Sequence, residues 1–103
     1  MTTPTAHWEE RSNRNEFIEK VIGVGNPIRH FFWDKGHPNG PEIHTITDTG
    51  IIIIRNYRTN KLVTQLIARP GQISRYYKAI NEYPPEYLMN IANKHYIEKY
   101  NVK

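Results

Sequence analysis

Between residues 42 and 69 three short runs of β-branched and aliphatic residues follow one another with only turn signals between them. Residues 42–47 alternate apolar and polar, residues 51–57 open on four isoleucines, and residues 62–69 are again aliphatic. Asp48-Thr49-Gly50 and Arg58-Thr59-Asn60-Lys61 carry the residues that hairpin turns favour. This spacing predicts an antiparallel meander. A fourth strand, residues 28–34, precedes it, separated by Lys35-Gly36-His37-Pro38-Asn39-Gly40-Pro41, a loop whose prolines and glycines leave no room for a regular element.

Helices flank the strands. Phe17, Ile18, Val21, Ile22 and Val24 follow helical spacing within residues 9–24, and Gly23, Gly25, Asn26 and Pro27 stop the pattern. Pro70 suits a first helical turn, so residues 71–82 read as a helix until Tyr83-Pro84-Pro85 breaks it. Residues 86–100 form the last helix. Residues 1–8, with Pro4 and three threonines, read as loose. The expected fold is therefore α+β in a single domain over 1–103: an N-terminal helix, a four-stranded antiparallel meander and two C-terminal helices. The helices cover one face of the sheet, and an open opposite face is where a substrate would lie.

The 103 residues suffice for one domain, which buries only about two-thirds of its unfolded surface. No cysteine is present, which excludes disulfides and thiolate chemistry. The chain shows no run of about 18 apolar residues and no signal-peptide pattern at its start, so a cytoplasmic protein is expected; the start at Met1 and a terminal helix of its own lead to the expectation of a complete protein. Lysine and arginine outnumber acids by 14 to 10. Residues 55–78 hold Arg55, Arg58, Lys61, Arg69, Arg75 and Lys78 with no acid, a run that attracts phosphate or simply faces solvent.

Two hairpin registers are open. With residues 59–60 as the second tip, Tyr57 faces Leu62, Arg55 faces Thr64 and Ile53 faces Leu66. A two-residue Asp48-Thr49 tip then sets Glu42 opposite Arg55, so that Glu42, His44, Arg55 and Thr64 share a face. A three-residue tip with Gly50 in a bulge instead joins Glu42 and His44 to Gln65, with Arg69 near the strand end. Either way an acid, an imidazole and a guanidinium converge.

That trio suits metal-free phosphodiester cleavage in RNA. A base takes the 2′-hydroxyl proton, an acid protonates the departing 5′-oxygen, and positive charge meets the transition state. Histidine titrates near neutrality and serves either proton role. Arginine grips phosphate in a fork and keeps its charge. Each residue also has an ordinary reading. His44 is a packed, hydrogen-bonded histidine, Glu42 and Arg55 form a cross-strand ion pair, Thr64 is a plain strand residue, and Tyr76 and Tyr77 pack on the sheet or stack on a base. His37 is a weaker candidate, while His30 and His95 read as structural. A zinc site from His37 and His44 finds no third and fourth ligand at regular spacing, so no metal or cofactor is expected. The glycines of residues 23–25 lack the rest of a dinucleotide fingerprint.

From Gly36-His37-Pro38-Asn39-Gly40-Pro41-Glu42-Ile43-His44 through Arg75-Tyr76-Tyr77 the chain resembles the barnase/EndoU/colicin/RelE-like ribonuclease superfamily, as found in phage proteins, mobile elements and toxins. The likeness spans about residues 28–78 and lies in element order and residue types. It implies metal-independent endoribonuclease activity on tRNA, rRNA or mRNA through a 2′,3′-cyclic phosphate, and an antitoxin or immunity protein as partner. On this chain it implies His44 and Glu42 as acid and base, Arg55 and Arg69 on the phosphate and Thr64 as a hydrogen-bonding group. Gln72, Arg75, Tyr76, Lys78 and His37 would hold RNA. The alternative is a non-catalytic protein of phage or mobile-element type that binds and inhibits a host protein or nucleic acid. A further rival is an accessory domain of a larger protein.

Overall fold

The computed structural model describes residues 13–100, with side chains through Glu98. Residues 1–8 and the first turn of the helix expected from residue 9 lie outside the described residues. The order is an N-terminal helix (α1, residues 13–22), four strands, β1 (Pro27–Trp33), β2 (Glu42–Thr47), β3 (Ile51–Asn56) and β4 (Leu62–Ile67), and two helices, α2 (Pro70–Ala79) and α3 (Glu86–Tyr100). The strands form one antiparallel meander in the order β1-β2-β3-β4. This is the α+β architecture expected from the pattern.

α1 ends in a π turn over Ile18–Ile22, closed by the Gly23 amide on the Ile18 carbonyl at 2.7 Å. α2 stops at Ala79, three residues before the expected end. Asn81 takes a left-handed conformation (φ 59°), and the Glu82 amide reaches back to the Tyr77 carbonyl while that of Asn81 reaches Lys78. These two bonds are the Schellman closure, which satisfies carbonyls that a helix end otherwise leaves open.

The first hairpin takes the three-residue tip. Gly50 sits at φ 82°, its amide bonds the Thr47 carbonyl, and Glu42 pairs with Asn56, His44 with Ile54, and Ile46 with Ile52. The second hairpin departs from the tip expected at residues 59–60. The Asn56 amide bonds the Lys61 carbonyl, and Asn56 Oδ1 accepts from the amides of Arg58 and Thr59. Asn60, at φ 59°, turns the chain. Arg55 therefore pairs with Leu62 and Ile54 with Thr64, which leaves Val63 as an extra residue in a bulge.

α2 and α3 pack on one face of the sheet. Phe31, Ile46, Ile52 and Ile54 from the strands meet Ile73, Tyr76, Tyr77, Leu88 and Ala92 from the helices in a single cluster. His95 on α3 donates from Nε2 to the Thr49 carbonyl at 2.9 Å, pinning the helix to the β2–β3 turn. No helix among the described residues is long and apolar enough to cross a membrane.

Candidate functional site

Glu42 and His44 lie two apart on β2 and so point to the same face. It is the face that α2 and α3 cover, and the expected open face is absent over much of the other side, where Thr45, Thr47, Ile51 and Gln65 are buried. Phe31 pairs with His44 and Trp33 with Glu42 across β1, so aromatic rings wall the imidazole on that side. The Trp33 ring centroid lies 5.9 Å from that of His44, and Tyr76 of α2 stands edge-on to both rings. His44 is only 3% exposed, and both ring nitrogens are engaged. Nε2 lies 2.9 Å from Glu42 Oε1, and Nδ1 contacts the Tyr76 hydroxyl.

Burial pushes the imidazole below its usual value of 6.5; the bond to Glu42 and its charge oppose this, and the nearby Lys35 ammonium adds to the lowering. A neutral ring has one donor and one acceptor, and its partners assign them. The carboxylate only accepts, so Nε2 carries the hydrogen. Nδ1 then accepts from the Tyr76 hydroxyl. That phenol is itself pushed up to about 12, by burial first and by the Glu42 charge second, with Arg75 pulling the other way. Tyr76 thus stays a donor at any ordinary pH. The chain of bonds runs from Tyr76 through His44 to Glu42, whose side chain keeps 29% of its surface in solvent.

The other expected members fall elsewhere. Arg55 pairs with Ile43, and so faces away from His44; it is exposed, and its guanidinium lies 3.5 Å from the Asn60 carbonyl. Of the two registers left open, the first hairpin takes the three-residue tip, which runs one residue off the one that joins Glu42 to Arg55, and the second hairpin is one residue off the expected pairing of β3 with β4. For Thr64 the two shifts cancel. It lies in one cross-strand row with Ile54 and His44, and so on the His44 face, two strands or about 10 Å away. Its hydroxyl accepts from the Arg14 guanidinium at 3.1 Å. Gln65, the alternative partner, is on the opposite face with Ile53.

Arg69 follows β4 at the end of the sheet where Ile51 meets Ile67, whereas Glu42 stands at the Asn56 end. The length of β2, about 17 Å, separates those ends. Arg69 therefore does not share a phosphate with His44. It caps α2, where its amide donates to Gln72 Oε1 at 2.9 Å.

Arg69, Gln72 and Arg75 do converge on one another. They line a cleft of about 460 Å³ between α2 and α3, together with Pro70, Gly71, Asn93 and Tyr96. Among the described residues no carboxylate lines it. Asn93 and Tyr96, absent from the sequence reading, stand one turn apart on α3; that spacing is the signal that could have found them. Tyr76, expected to hold a base, is instead buried in the core. Lys78 is exposed and lines a separate hollow with Ser74, Asn81 and Tyr83. His37 is exposed, and its Nδ1 accepts from the Asn39 amide, which marks it as a loop brace. Among the described residues no group of three or more histidine or acidic side chains is placed to hold a metal ion.

No family model, no curated protein and no solved structure matches this chain.

Proposed function

We propose that the protein binds RNA and cleaves it without a metal ion, with Glu42 rather than His44 as the group that meets the reacting 2′-hydroxyl. The observation that carries this reading is the Glu42 carboxylate at the sheet rim, part exposed and fixed from behind by a buried neutral imidazole at 2.9 Å. A carboxylate so held can take the 2′-hydroxyl proton as the 2′-oxygen attacks phosphorus, the P–O5′ bond breaks, and the departing 5′-oxygen takes its proton from water. This leaves a 2′,3′-cyclic phosphate. His44 is then a positioning residue. Lys35 and Arg75 are the cations whose fields reach this cluster. The cleft lined by Arg69, Gln72, Arg75, Asn93 and Tyr96 suits the phosphate chain leading away from it.

A second reading has its own support. The imidazole spends both nitrogens inside the protein, which leaves it no proton to give a departing oxygen. That favours a protein that binds RNA and does not cut it.

The test incubates tRNA and ribosomes in EDTA with the wild type and Glu42→Gln, and measures binding to Arg69→Ala/Arg75→Ala by anisotropy. Cleavage that survives EDTA and falls at least about 100-fold in Glu42→Gln is the expected result. Equal trace cleavage by wild type and Glu42→Gln rejects the catalytic role, and binding lost only in the arginine variant then establishes the second reading.

A further inference from the structure

The side of the sheet away from α2 and α3 carries a row that the Glu42–His44 cluster does not use. Phe32 pairs with Ile43, Ile43 with Arg55, and Arg55 with Leu62, so these four side chains cross the sheet on one face. Tyr57, just past β3, sets its ring at 5.2 Å and 88° to that of Phe32. Burial normally claims such residues, yet Phe32 and Tyr57 are each 57% exposed and Leu62 52%. Exposed large apolar groups in one row mark a contact surface.

The mount is firm. The Tyr57 amide bonds the Pro41 carbonyl, Asn56 Nδ2 bonds the Asn39 carbonyl, and the Arg58 side chain lies so close over Gly40 that a Cβ there would meet its Nε at 2.8 Å. The 35–41 loop and the 57–60 tip thus brace each other beneath the rings. Arg55, Arg58 and Lys61 are exposed around them. Asp34, the carboxylate nearest Phe32 in sequence, is turned to its own loop and accepts from the Gly36 amide.

We propose that this row is a stacking platform for single-stranded RNA, separate from the Glu42–His44 cluster and on the opposite face of the sheet. Phe32 and Tyr57 receive unpaired bases, and Arg55, Arg58 and Lys61 meet the phosphates between them. The charge decides the occupant: aromatic faces ringed by cations complement a polyanion with exposed bases. A duplex hides those base faces, so the platform selects single strands. The inference rests on the RNA reading above for the class of ligand only, not for cleavage.

The experiment measures anisotropy of a fluorescein-labelled, ten-nucleotide 2′-O-methyl oligouridine, which cannot be cut at the 2′-position. The proteins are wild type, Phe32→Leu, Tyr57→Leu, Phe32→Trp and Arg75→Ala, each checked for fold by circular dichroism. Leucine keeps the apolar bulk and removes the ring. Each leucine variant is expected to bind roughly tenfold more weakly, with Phe32→Trp restoring affinity. Leucine variants that match a binding wild type, while Arg75→Ala weakens it, overturn the platform and leave the RNA reading standing. A wild type that does not bind the oligomer overturns both.

Discussion

At the scale of single residues, Tyr76, His44 and Glu42 act as one unit, and removing any of them strands a buried polar atom. Tyr76→Phe deletes the donor to His44 Nδ1 and should cost about 1–3 kcal/mol in urea denaturation at pH 7.5. The same unit sets a pH dependence. The folded imidazole titrates below the ordinary 6.5 of the unfolded chain, so the unfolded state binds more protons as pH falls beneath that value. Stability should therefore be level above about pH 7 and decline through the acid side of 6.5, until the folded ring also protonates. His44→Gln should flatten that decline; an unchanged slope in the variant would assign it to other groups. The Glu42–His44 pairing was legible in the sequence, since two residues apart on a strand is one face whatever the register. The role of Tyr76 was not, because it depends on how α2 lies across the sheet, which no local pattern encodes.

At the scale of elements, the strands and helices could be read from periodicity because each run was short, strongly patterned and bounded by glycine, proline or asparagine. The registers could not. A single residue in a turn flips every side chain beyond it, and both hairpins used a longer tip than the shortest one their residues allow. This is why Arg55 left the expected site while Thr64, shifted twice, stayed on its face. Gly50 is the residue that holds the first register. It combines φ 82° with a neighbour, Ile91 Cγ2, that an added Cβ would meet at 3.0 Å. Gly50→Ala should lose about 1–2 kcal/mol from backbone strain alone and more from the contact with α3. For a domain of this size that predicts a melting temperature lower by about 5–10 °C. A variant that melts with the wild type would show that the turn can take another form.

At the scale of the whole molecule, the net charge of +4 is unevenly spread, and it places cations both in the α2–α3 cleft and around the 57–60 tip. Association with RNA should weaken steeply with salt. Arg75→Ala should reduce the slope of log affinity against log salt by about one, whereas Phe32→Leu should lower affinity and leave the slope intact. Equal slopes in all three proteins would place Arg75 away from phosphate. Among the described residues β1 and β4 are the margins of the meander, where strands from another molecule could pair. On β4 the surplus residue Val63 kinks that margin, so a second molecule cannot lay a straight strand along it. Excising Val63 should straighten the border, so that the variant scatters more light than the wild type at equal concentration as chains zip together side by side.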